Sequence, residues 1–122
     1  MSEQNLNKPI LKVLETLELV GITFIRDYIQ FLFDGPVLNT YTLPLIKNQN
    51  KIITSADFGY YDTLCSLINQ KILSAYEDEN EEKIAIKFES DIEFFVSLKS
   101  EDRNCVEAVM LQLETDGEWN VW

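Results

Sequence analysis

Between Lys83 and Leu98 the chain reads KIAIKFESDIEFFVSL, two runs of alternation around the polar tripeptide Glu89-Ser90-Asp91. A period of two is the spacing of a strand with one buried face. With Ser90 at the tip of the loop, Phe88 faces Ile92, Ile86 faces Phe94 and Ile84 faces Val96, so six large apolar side chains share one face. The same register sets Lys87 opposite Glu93, an attractive pair, and Ala85 opposite Phe95 on the second face. A slip of one residue brings Glu89 against Ile92 and loses the agreement. An antiparallel hairpin is therefore the anchor for the rest of the chain.

Further strands are read at Ile72 to Tyr76 and Val106 to Leu113, giving an antiparallel meander over residues 72–113. Upstream, Asn7 before Lys8-Pro9 has the form of a helix N-cap, and Ile10, Leu11, Val13, Leu14 and Leu17 follow at helical spacing until Gly21. This predicts an N-terminal helix within residues 1–20. Aromatic and β-branched residues then predict strands over 22–43, either one long bent strand or two short ones from Ile22 to Phe33, broken at Arg26-Asp27. After the Asp34-Gly35 turn, Val37 to Leu43 is read as a return strand, with Pro36 placing it at a sheet edge. Lys47 to Lys51 is read as a polar loop. A second helix is expected over 55–69, burying Tyr61, Leu64, Cys65 and Ile68, and residues 117–122 are expected to dock against the sheet. The fold class expected is α+β, one domain over residues 1–122, with a mostly antiparallel sheet of about five to seven strands and two helices.

At 122 residues, 46% of them apolar, the chain has enough material for one hydrophobic core. The formal net charge is −11, so phosphate backbones and anionic membrane surfaces are poor partners. The first residues lack the basic and apolar regions of a secretory signal, and no apolar run approaches the roughly 20 residues of a membrane span, so a cytoplasmic protein is expected. Histidine is absent, which removes Ser-His-Asp and Cys-His catalysis and His-ligated zinc. Cys65 and Cys105 lie in apolar contexts without CxxC spacing and read as buried reduced thiols. No glycine-rich phosphate loop occurs. Asp78, Asn80, Glu82 and Glu89 imitate the spacing of a calcium loop, but Lys83 stands where that loop requires glycine. Residues alone thus point to no catalytic set, no metal and no cofactor.

The charge is lopsided. Met1 to Tyr61 holds 5 basic and 6 acidic residues, whereas Asp62 to Trp122 holds 5 basic and 15 acidic. In the expected meander, the turn carrying Glu77, Asp78, Glu79, Glu81 and Glu82 lies at the same end as Glu101, Asp102 and Glu107, which makes that end a candidate docking face for a basic protein. Phe95 and Met110, with Ala85, are candidates for an apolar contact on the second face of the sheet. The alternative is a small-molecule-binding or regulatory module in which Phe58, Tyr60, Tyr61, Trp119 and Trp122 line an aromatic pocket.

The stretches YIQFLFDGPVLNTYTLP, GYYDTLCSLINQKI, IAIKFESDIEFFVSL and EAVMLQLETDGEWNVW give the chain a pattern that resembles small uncharacterised bacterial proteins of the polymorphic-toxin immunity type. The resemblance runs from Tyr28 onward and includes no catalytic signature. It implies a cytoplasmic inhibitor that neutralises a cognate toxin by direct binding, without cofactor or chemistry of its own. An acidic inhibitor suits a basic nuclease toxin, because it competes with the toxin's polyanionic substrate.

Overall fold

The structure is a computed structural model that describes residues 10–103, 105–113 and 119–122. The cap at Asn7, Pro9, and residues 117 and 118 of the expected docked segment lie outside the described residues. The chain is mostly antiparallel β. Its strands are β1 (Leu19–Ile25), β2 (Tyr28–Phe33), β3 (Val37–Thr40), β4 (Leu45–Asn48), β5 (Lys51–Ile53), β6 (Ile72–Asp78), β7 (Lys83–Phe88), β8 (Ile92–Ser97), β9 (Val109–Gln112) and β10 (Trp119–Val121). They form two five-stranded sheets, ordered β1-β2-β3-β9-β10 and β5-β4-β8-β7-β6. Among the described residues there is one α-helix, α1 (Tyr60–Cys65), and two short 3-10 helices, Ile10–Leu14 and Ser100–Asp102. The expectation of five to seven strands with two helices is corrected accordingly.

The hairpin that anchors the sequence reading has the register derived from alternation: Ile84 pairs with Val96, Ala85 with Phe95, Ile86 with Phe94 and Lys87 with Glu93. Asp91 closes its loop at a φ of 71°, in the left-handed region. The sheets pack through their apolar faces. Phe31 of β2 stacks on Phe94 of β8 with ring centroids 4.8 Å apart, and Phe94 also meets Phe88. Ile29, Phe31, Leu38, Val109 and Leu111 from the first sheet join Ile46, Ile72, Ile84, Ile86 and Val96 from the second in one core.

Four expectations fail for identifiable reasons. The first helix is only a 3-10 turn, because Leu11 and Leu14, three apart, suffice to bury its apolar side. Thr16, at a φ of 74°, then reverses the chain. Leu17 leaves the helical stripe to accept a hydrogen bond from the Ile72 amide, and the Leu19 carbonyl accepts from Asn69. The meander breaks after β8, since β9 crosses to the first sheet and pairs with β3. That places β3 between β2 and β9 rather than at an edge. Pro36 is tolerated because it precedes the strand, in a turn where its carbonyl accepts from the Phe33 amide. Finally, Lys47 to Lys51 is a strand hairpin, with β4 and β5 joined through Gln49 at a φ of 60°.

Helix α1 is shorter than expected and buries a different face. Gly59 enters it at a φ of 88°, and the buried Tyr60 hydroxyl donates to the Pro44 carbonyl at 2.6 Å. Tyr60, Leu64 and the following Leu67 are therefore inside, while Tyr61 and Cys65 are exposed. Cys105 is exposed as well, so neither thiol is the buried one expected.

Strand β6 joins two corners of the first sheet. At its start, Lys71 bridges Glu18 just before β1. At its far end, the Glu77 carboxylate accepts from the Trp122 indole N–H at 2.9 Å, beside the end of β10. The 3-10 turn borders β6, where the Glu15 carboxylate accepts from the Ala75 amide and occupies an edge donor.

Candidate functional site

The acidic residues singled out by sequence belong to the β6–β7 turn and the loop after β8. The Asp78 carboxylate accepts from the Glu81 amide and shapes the turn, and Glu81 pairs with Lys83 at 3.0 Å. Glu82, at a φ of 53°, presents its carbonyl to the Leu98 amide at 2.7 Å, which ties this turn to the end of β8. Asp102 accepts from the Ser97 hydroxyl at 2.5 Å. Arg103 donates from Nε and Nη2 to the Leu98 carbonyl and from Nη1 to the Val106 carbonyl, so its guanidinium organises the loop that follows.

Glu77, Glu79, Glu82, Leu98, Arg103 and Trp122 line one open cleft of about 340 Å³. Asp78, Glu81, Glu101 and Asp102 are near neighbours of the lining residues along the chain, as are the basic Lys83 and Lys99. The indole and Leu98 give this anionic hollow an apolar lining. Glu107 is not among the residues lining the cleft, contrary to its expected place. It lies near Tyr41, whose phenol burial pushes above its ordinary value, opposed by the hydrogen bond from Asn39 and assisted by Tyr28, Cys105 and Glu107.

Phe95 and Met110 do not form one contact. Because β9 crosses over, Met110 points outward from the first sheet and Phe95 outward from the second. Phe95 lies in a row with Leu45, Ala85 and Tyr76, with the Lys83 ammonium 4.1 Å from its ring centroid. The five aromatics of the pocket alternative do not line one hollow, although Tyr60 and Tyr61 meet edge-on at 4.9 Å. Tyr60 is in the core, Tyr61 packs edge-on against Phe24, and Phe58 borders a hollow with Lys51, Ile52, Ile53 and Asp57. Trp119 and Trp122 sit on opposite faces of the β10 segment by strand alternation.

The outward face of the first sheet was missed by sequence reasoning. Two rows cross it: Thr23, Gln30, Asn39, Met110 and Val121, then Gly21, Leu32, Val37, Gln112 and Trp119. Ile25 lies beyond them, and Tyr28 and Tyr41 pack at 4.8 Å. None of these thirteen positions is charged, in a chain that is 25% charged. The signal was available: the alternate positions of YIQFLF, VLNTY, VMLQ and WNV hold no Asp, Glu, Lys or Arg.

Among the described residues, no group of three or more Cys, Asp or Glu is placed to hold a metal, and no helix is long and apolar enough to cross a membrane. No protein-family model, no curated protein and no solved structure matches this chain.

Proposed function

We propose that this chain is a non-catalytic acidic binding protein that neutralises a basic protein partner, acting in the cytoplasm in the manner of an immunity-type inhibitor. The observation that carries the reading is the convergence of Glu77, Glu79 and Glu82, three carboxylates against the cation Arg103, on one cleft lined also by Trp122 and Leu98. Such a hollow suits a lysine or arginine side chain of the partner, whose charge meets carboxylates while its stem or guanidinium packs on the indole. Clustered carboxylates also steer a cationic protein into encounter, an effect that weakens with salt. A basic nuclease toxin is the partner class that this chemistry and the sequence resemblance favour together. The aromatic-pocket alternative has less support, since Tyr60 and Tyr61 touch but Phe58 and Trp122 border different hollows.

The test is affinity capture from the native cells with low-salt and then high-salt washes, followed by kinetics with the purified captured protein. The expected result is one stoichiometric basic protein, released at high salt. Its association rate falls for the Glu79→Lys, Glu81→Lys, Glu82→Lys triple variant, while dissociation changes less. A captured protein without basic character, bound equally fast by the triple variant, would sink the reading.

A further inference from the structure

The neutral outward face of the first sheet carries no charge to steer a basic protein, and its chemistry suits a different occupant. We infer that a second copy of this chain docks there, face to face, to form a two-fold dimer. In a two-fold interface the same patch meets itself, so residues near the axis contact their own counterparts. A face with carboxylates would set like charges together at a cost of about tenfold or more in affinity for each pair. With 21 acidic and 10 basic residues, two copies approaching at random bring carboxylates against carboxylates. The thirteen positions themselves bring none, and the acid beside them is Glu107, next to Tyr41.

The polar groups present are those that self-pairing requires. The amide of Gln30 and the phenol of Tyr28 each donate and accept, so like can bond to like, whereas Asn39 is buried and donates to the Tyr41 hydroxyl. Tyr, Trp and Met, the types enriched at interface cores, supply the rest through Tyr28, Met110 and Trp119. The outward face of the second sheet lacks this character, because Lys47, Glu93 and Lys87 form a row across it. The acidic cleft lies where the β6–β7 end of the second sheet meets Trp122 just past β10, and its three carboxylates belong to the second sheet. Thirteen positions fall below the roughly 20 to 30 residues a side of a standard interface, which sets the expected affinity in the micromolar range.

Sedimentation of the full chain across micromolar to millimolar concentration tests the inference. Reversible dimerisation is expected, and it should strengthen with salt, because salt screens the repulsion between two chains of −11. Met110→Glu and Gln30→Glu should each weaken the dimer at least about tenfold. Lys87→Glu, on the other sheet, should leave it near its original affinity. In the unaltered protein, amide exchange in β2, β3 and β9 should slow as concentration rises, with β7 unchanged. That readout does not depend on any variant folding. A chain that stays monomeric throughout, or a dimer broken by Lys87→Glu and indifferent to Met110→Glu, overturns the inference.

Discussion

On the outward face of the second sheet charges interleave, with Lys47, Glu93 and Lys87 in one row and Lys83 beside Asp78 in another. On the first sheet the equivalent outward rows hold amides, aromatics and aliphatics. Both sheets use the same two-residue alternation and share one core, so core formation does not dictate the difference. Nor does position along the chain. Strands β9 and β10 come from the half with 15 acidic residues, yet they present Met110, Gln112, Trp119 and Val121 outward. The neutral face is a property of the assembled sheet, built from strands far apart in sequence.

The largest effect should come from the core that both faces depend on. Phe94→Ala removes the ring that stacks on Phe31 and touches Phe88, and should cost about 3–5 kcal/mol in a denaturant titration. Amide exchange should then accelerate in β2 and in β7 together. Acceleration confined to the second sheet would show two separately stable layers and break the comparison.

Tyr60→Phe leaves the Pro44 carbonyl without its hydroxyl donor and should cost about 1–3 kcal/mol. Burial raises the Tyr60 phenol above its ordinary value of about 10, with a smaller contribution from Tyr61, so the fold favours the neutral form. This contribution to stability is complete below the unfolded value and declines as pH rises through the higher folded one. Thermal melts above pH 10 should therefore fall more steeply for the native chain than for the phenylalanine variant.

A smaller gain is expected at Asp91, held at a φ of 71° in the β7–β8 loop. Asp91→Gly should stabilise by about 1 kcal/mol or less, because glycine adopts that conformation without strain and the exposed Lys87 contact at 3.8 Å contributes little. The smallest effect sharpens the comparison itself. Measured on the monomer, Gln30→Glu and Lys87→Glu should each shift stability by no more than about 0.5 kcal/mol, as surface changes do. A large loss for Gln30→Glu alone would mean that neutrality serves the fold of the first sheet rather than an encounter at its face.

The β7–β8 hairpin was legible because a short loop joins two strongly alternating runs, leaving a single register that buries six apolar residues. The β6–β7 turn and the loop after β8 were likewise placed at one end, since three consecutive strands of a meander fix that end. Sequence did not reveal the partner of β9, because Val109 and Leu111 suit any apolar face and the pairing with β3 spans some seventy residues of chain. Ile10, Leu11, Leu14 and Leu17 misled because helical spacing over so few residues is also met by one tight turn followed by a bridge to another strand. The neutral face was hidden for a related reason: its members are the polar-side residues of five strands, and only pairing reveals that they are neighbours.

The long reach from β3 to β9 bears on how the chain is made. Emerging from a ribosome, β1, β2 and β3 can pair as soon as Thr40 is clear, whereas the strand that closes the open side of β3 starts only at Val109. For the synthesis of nearly seventy residues, β3 exposes an unsatisfied ladder and an apolar face. Chaperone occupancy during translation should peak in that window and end once Gln112 has left the exit tunnel.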